Sequence, residues 1–425
     1  YRLNQLLRLS QNRSGLMHTV EQLWLNGSKL PGACDEPVEA WRRAGHMTAD
    51  KVWARIQLAM EKRNLTLAEG LARYLAPGER VWVERWLAMH SNPARELANL
   101  RYPLDSALAR RIVRHGVMRL AHNDPEEAMR RWQELKRGQA FGREDENYVH
   151  RWIGVLAAQR HHPQAVEWLS SVAPAPDDET LRHWRVRAAI RAGDWQSGLH
   201  FIYGLTEPEQ QESEWRYWKA YMLEQTGAKR IARGLYRELA EERGYYGFLA
   251  ADRLDREYTI QHVAIEAGPE ELAAMLTRRP IALAQELYAL GDTVNARRQW
   301  SWAIRRMNNQ ELKVAALVAS RWGWHDRAII TLGKTDQLND LEVRFPILYR
   351  ELIETNARDN KLDPDWVYGV LRQESAFMTD ARSEAGALGL MQLMPRTGRL
   401  TAQRIRLPIA GTHAILQVDN NVKLG

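Results

Sequence analysis

Trp184-Arg185-Val186-Arg187-Ala188-Ala189-Ile190-Arg191-Ala192-Gly193-Asp194-Trp195-Gln196-Ser197-Gly198-Leu199-His200-Phe201-Ile202 decides the fold. Up to Ala192 the residues are good helix formers without strand-like alternation, and Gly193-Asp194 then stops the run. Trp195, Leu199 and Ile202 resume an apolar stripe at three- and four-residue spacing, so the stretch reads as helix, glycine stop, helix. The unit recurs. Ala220 and Leu223 precede Gly227-Ala228, Ile231, Leu235 and Leu239 follow, and the two glycine stops are 34 positions apart. That period suits stacked helical hairpins that bury each other's apolar faces.

Outward from this pair, further turns fall at Asn123-Asp124-Pro125, His161-His162-Pro163, Gly291-Asp292 and Gly323-Trp324-His325. The array is degenerate, and its spacing is tetratricopeptide-like without that family's pattern. Trp132, Trp152, Trp168, Trp184, Trp215 and Trp218 recur at helical spacing and are expected between helices rather than in a sugar-stacking groove. Arg243-Gly244-Tyr245-Tyr246-Gly247-Phe248 interrupts the rhythm, which places a boundary near residue 255. Phe345-Pro346 marks a second, with Pro346 expected in a first helical turn before Ile347, Leu348, Leu352 and Ile353. Three domains are expected: 1–255, a superhelix; 256–346, a helical linker subdomain; 347–425, a further helical domain.

Composition is consistent with this reading. At 45% apolar and 27% charged, the 425 residues can bury sizeable cores, and no apolar run approaches the roughly 18 to 20 residues of a membrane span. The lone Cys34 excludes an internal disulfide and a thiolate metal cluster. The net charge of +7 resides mostly in residues 1–346, where arginines alternate with glutamates as on an ordinary solvated helix surface, so no nucleic-acid partner is expected.

The chemistry sits near the end. Asp363-Pro364-Asp365 is a helix start, and Val367, Val370, Leu371 and Glu374 follow at three- and four-residue intervals. Glu374 is therefore expected on the buried stripe, and a carboxylate in apolar surroundings keeps its proton more readily, as a general acid must. Farther on, Gly386 and Gly389 in Ser383-Glu384-Ala385-Gly386-Ala387-Leu388-Gly389-Leu390-Met391-Gln392-Leu393-Met394-Pro395 predict a tight turn, then a short helix that Pro395 helps to end.

Arg372-Gln373-Glu374-Ser375-Ala376-Phe377 followed by Gly386-Ala387-Leu388-Gly389-Leu390-Met391-Gln392-Leu393-Met394-Pro395 resembles the first two motifs of the soluble lytic transglycosylases of the bacterial periplasm. The resemblance implies an all-α fold: a helical-hairpin superhelix, a solenoid that in this family can form a ring, followed by a lysozyme-like α domain. It implies a periplasmic enzyme acting on peptidoglycan glycan strands, with Glu374 as the single catalytic acid/base, supported by Ser375. Ser375, Ser383, Gly389, Met391, Gln392 and Met394 would bind substrate beside it, and no metal or cofactor would be required. Asp419, Asn421 and Gly425 resemble a later, weaker stretch of the family. The family continues with an Ala-Tyr-Asn-x-Gly motif and a later tyrosine absent from these residues, so an incomplete catalytic domain is expected.

By this resemblance the bond between N-acetylmuramic acid and N-acetylglucosamine is cleaved without water, giving 1,6-anhydromuramic acid ends. Glu384, Asp380 or Asp365 acting as a second carboxylate would instead make a hydrolase. The other alternative is a helical-repeat scaffold or glycan-binding protein whose lysozyme-like domain is inert.

Overall fold

The computed structural model describes residues 14–425 apart from Gln139 and Gln337. The first 13 residues of the expected superhelical domain thus lie outside the described residues. The chain is helical from Ser14–Trp24 to Val418–Leu424, and among the described residues strand pairing is limited to isolated bridges joining Arg382, Leu388 and Leu393. It divides into two units, Tyr1–Tyr258 and Thr259–Gly425.

The first unit is an array of hairpins in which helices adjacent in sequence pack together, as Glu179–Ala192 does with Trp195–Tyr203 and Ser213–Gln225 with Lys229–Leu239. The glycine stops work by backbone geometry. Gly193 (φ +68°) and Gly227 (φ +93°) are left-handed, which costs glycine little. Each lets the next amide turn back onto the helix: Asp194 N donates to Ala189 O at 3.0 Å and Ala228 N to Leu223 O at 2.8 Å. The same closure recurs at Gly291 and Gly323 in the second unit, where Asp292 N donates to Leu287 O and Trp324 N to Ala319 O. His161 (φ +57°) closes its hairpin likewise. Aspartates then cap the next helix, as Asp194 does by accepting from Ser197 N at 3.1 Å.

Of the expected inter-helix tryptophans, Trp132, Trp168 and Trp215 are buried, and Trp152, Trp184 and Trp218 half-buried. One stripe differs by a residue. In Lys229–Leu239 the buried line is Ala232, Tyr236 and Leu239, while Ile231 is 61% exposed, because the inward face is set by how this helix seats on Ser213–Gln225.

The second unit contains two packed parts. Around Trp300 and Trp324 gather Ile281, Ala296, Val314 and Ala328; Tyr288 stacks on Trp324 at 4.4 Å, and Trp300 Nε1 donates to Thr331 Oγ1 at 2.9 Å. A strap runs back over this part: Val263 N donates to Asn339 O, and buried Asp340 accepts from Ile265 N at 2.8 Å. The other part buries Ile353, Leu371, Phe377, Leu390 and Val422, with Ile329 of the preceding part in the same cluster. Pro346 does not open a helix. Residues 346–349 are irregular, and the helix Arg350–Asp359 begins only after left-handed Tyr349 (φ +52°), a conformation no helix continues through.

Candidate active site

The helix Pro364–Ser375 carries Glu374 in its last turn. Asp363 starts it by accepting from Asp365 N at 2.8 Å, and Pro364 takes the position where no amide hydrogen is needed. Its inner line is Val367, Leu371 and Ser375, all buried. Two side chains tether its outer turns: Tyr368 Oη donates to Leu348 O at 3.0 Å and Arg372 Nε to Arg344 O at 2.8 Å.

Glu374 is exposed, not buried. It precedes Ser375 by one residue, and one helical step is a rotation of about 100°, which takes it off the inner line. Val367, Val370 and Leu371 define only a broad stripe, within which the packing neighbours select Val367, Leu371 and Ser375. Glu374 makes no hydrogen bond or ion pair with any described residue. Ser375, expected beside the substrate, is instead interior, and its hydroxyl donates to Leu371 O at 3.1 Å within its own helix. Two successive left-handed residues, Ala376 (φ +50°) and Phe377 (φ +66°), end the helix, and Phe377 turns into the core.

The glycine-spaced segment forms a clamped loop and not a short helix. Ser383 N donates to Ala387 O at 3.1 Å while Ser383 Oγ accepts from Ala387 N at 3.0 Å. Leu388 and Leu393 exchange both backbone hydrogen bonds at 2.9 Å, which closes a loop too tight for a helical turn. Left-handed Gly389 (φ +72°) and Gln392 (φ +47°) shape it, with Gln392 Nε2 donating to Gly389 O at 2.9 Å. Pro395 begins the helix Pro395–Arg404.

Asn421 was only weakly marked in the sequence, yet it holds this loop. It is fully buried; Oδ1 accepts from Met391 N at 2.7 Å, and Nδ2 donates to Leu388 O at 3.0 Å and Ile415 O at 2.9 Å. The signal that could have found it is its place three residues after Val418 and beside Val422 on the helical stripe, since a buried amide must have partners. A Cβ on Gly389 would lie 2.5 Å from Asn421 Nδ2. Gly389→Ala is therefore expected to destabilise the second unit by about 1–3 kcal/mol, from left-handed strain plus displacement of that amide. Denaturant unfolding checks it; a variant as stable as the parent would show that the loop gives way freely.

The core brings the two motifs together: Phe377 from one, with Leu371 just before it, and Leu390 from the other share a cluster, and half-buried Met391 packs against it. Ser383 and Met394 are exposed and Gln392 half-buried. Of the possible second carboxylates, Asp380 is occupied. Arg297 grips it at 2.6 and 2.9 Å, Thr293 Oγ1 donates to it at 3.1 Å, and the Arg297 hydrogen bonds hold it below the usual carboxylate range against the effect of burial. Asp365 lies in the first turn of the Glu374 helix, opposite Glu374's end, and Glu384 is exposed in the Ser383–Ala387 turn. A cleft of about 350 Å³ runs along the same helix, lined by Phe345, Ile347, Tyr368, Arg372 and Gln373. No group of residues able to hold a metal ion occurs among the described residues, and no described helix is long and apolar enough to cross a membrane.

Two family profiles match: the soluble lytic murein transglycosylase L domain over residues 276–341 and the transglycosylase SLT domain over residues 351–425. The soluble lytic murein transglycosylases of Escherichia coli K12 and Salmonella typhimurium are each 26% identical over 409 residues, 95% of this chain and 63% of theirs. The chain thus spans about 63% of the length of these relatives. Among solved structures, an inactive Glu-to-Gln mutant of lytic transglycosylase Slt from Pseudomonas aeruginosa superposes with a TM-score of 0.89 at 32% identity, covering 100% of this chain and 69% of that one. The 70-kDa soluble lytic transglycosylase from Escherichia coli shares the fold, with a TM-score of 0.85 at 23% identity over 100% of this chain and 68% of that one.

Proposed function

We propose that this chain, which belongs to the soluble lytic transglycosylase family, takes part in non-hydrolytic cleavage of peptidoglycan glycan strands in the periplasm, with Glu374 as acid/base. The observation that supports the reading is an unpaired, exposed Glu374 on a helix whose buried Leu371 shares a core with Leu390 of the Asn421-clamped loop. That the Pseudomonas aeruginosa relative is an inactive Glu-to-Gln mutant agrees with one carboxylate being indispensable. Residues 1–255, 256–346 and 347–425 are taken as superhelix, linker subdomain and lysozyme-like domain.

The chemistry needs one carboxyl group. Glu374 gives its proton to the oxygen bridging N-acetylmuramic acid and N-acetylglucosamine, and the bond from that oxygen to the muramic C1 breaks. The substrate's 2-acetamido group stabilises the cationic C1. Glu374, now a carboxylate, takes the proton of the muramic C6 hydroxyl, whose oxygen bonds to C1 and closes the 1,6-anhydro ring. The proton returns to Glu374 and no water is consumed. A glycan seated over the exposed carboxyl would displace its water, the condition under which a carboxylic acid keeps its proton near neutral pH. Ser383, Gln392 and Met394 are available at the surface to meet the sugar, Gly389 and Met391 shape the loop that presents them, and Ser375 acts from the interior by fixing the helix end. The engagement of Asp380 by Arg297 favours this route over one with a second carboxylate nucleophile.

Mass spectrometry of peptidoglycan digested by the full-length protein tests the reading. Anhydro-muropeptides, each lighter by one water than a reducing end, are expected. Reducing ends alone would make the enzyme a hydrolase, and an undigested polymer would favour the scaffold.

A further inference from the structure

The first unit contains a cavity of about 450 Å³, within the range of small-molecule sites. Its walls come from the helices Ala49–Glu61, Pro77–Ser91, Ala107–Ala121 and Arg143–Gln159 and the turns that follow the first and third. Elsewhere in this unit some arginines pair with acids, as in Arg130–Glu127, Arg151–Asp178 and Arg182–Glu209, and others donate to backbone carbonyls, as Arg80 and Arg110 do. Of its four guanidinium groups only Arg114 has a carboxylate partner, Asp145 at 2.7 Å. Arg63, Arg111 and Arg119 form no ion pair with any described residue, and the one acid in the wall, Glu61, is hydrogen-bonded by Gln57 at 2.9 Å.

Imidazoles and indoles complete the lining. His90 Nδ1 and His115 Nε2 are 2.9 Å apart with their rings stacked, and His115 with Trp86, like His122 with Trp152, makes a T-shaped contact. Neither indole nitrogen has a hydrogen-bond partner. Burial, then the charges of His90, Arg119 and Arg63, hold His115 down at about 3, and burial followed by the same arginines lowers His90 and His122. The imidazoles are thus neutral near pH 7 and the positive charge is concentrated on the guanidinium groups. An oxyanion among them would relieve their mutual repulsion.

We propose that this cavity binds a small organic carboxylate bearing a sugar or apolar face. Arg63, Arg111 and Arg119 present forks suited to a planar oxyanion, while half-buried Trp152 and Met118 and exposed Tyr148 offer a surface for the remainder. A bare inorganic anion would leave most of the volume to water and the accessible part of Trp152 uncovered. The choice of a sugar acid as probe rests on the glycan reading above.

Calorimetric titration of the full chain with N-acetylmuramic acid and N-acetylglucosamine tests it, because the two sugars differ by the lactyl carboxylate. The acid is expected to bind at least about tenfold more tightly, Arg111→Gln and Arg119→Gln each to weaken it about tenfold or more, and Glu374→Gln to leave it unchanged. Glu61→Gln removes the one repelling carboxylate at an exposed position and is expected to tighten binding several-fold, which decides the matter should an arginine variant fold poorly. Equal binding of both sugars, binding of inorganic phosphate alone, insensitivity to Glu61→Gln, or loss on Glu374→Gln would each overturn the proposal. Glycan cleavage by the full-length protein is a separate readout, so failure here leaves the catalytic reading standing.

Discussion

Glu374→Gln in the full-length protein is expected to cut the release of anhydro-muropeptides by at least about 10²- to 10⁴-fold, the typical contribution of general acid–base catalysis. Glutamine keeps the shape and polarity of the side chain but can neither give nor retrieve a proton, and the proposed route asks both of one residue. The fold should be indifferent. Glu374 is exposed and has no partner among the described residues, so the exchange belongs with surface substitutions worth no more than about 0.5 kcal/mol, or roughly 2 °C in melting temperature. A buried Glu374 would instead have predicted a gain in stability on neutralisation, and its exposure removes that expectation. Retained cleavage would remove Glu374 from the mechanism, whereas a melting temperature lowered by several degrees would make it a structural partner and revive the scaffold reading.

Glu209→Ala is expected to destabilise the first unit by about 3–5 kcal/mol, because it strands a buried guanidinium. Arg182 and Glu209 are both interior, with Arg182 Nε and Nη2 donating to the carboxylate at 2.9 Å. Arg182 also donates to Ala175 O and Pro176 O, while Glu209 accepts from the Thr206 amide and hydroxyl at 2.7 Å. Burial alone would push the Glu209 carboxyl up, but Arg182 and Thr206 outweigh it and hold it at about 2. A depressed folded value means the pair's stabilisation is complete above the ordinary glutamate range near 4.5 and drains away as pH falls from there to about 2. Denaturant titrations at pH 7 and pH 3 should therefore show the gap between parent and variant narrowing in acid. Arg182→Met with Glu209→Met should cost much less than Glu209→Ala, since apolar replacement of both partners leaves no bare charge. A constant gap across pH would mean that lost packing, not ionisation, sets the cost.

The sequence by itself determined the all-α class, the hairpin turns and the motif pair that resembles the family. These are local properties: a left-handed glycine such as Gly193 or Gly227 ends a helix through its own backbone, and a motif such as Arg372–Phe377 is legible wherever it folds. The tertiary structure decided what faces inward. A periodic stripe fixes an apolar face only to within about one residue, roughly 100° of helix, so Glu374 could be placed on the buried line although Val367, Leu371 and Ser375 occupy it, and Ile231 could stand for Ala232. Nor does a local pattern record partners distant in sequence. Asn421 clamping Leu388 and Met391, Arg297 occupying Asp380, and the arginines gathered around His90 and His115 all depend on segments meeting only when the cores form, because a buried polar group is defined by its surroundings and not by its neighbours along the chain.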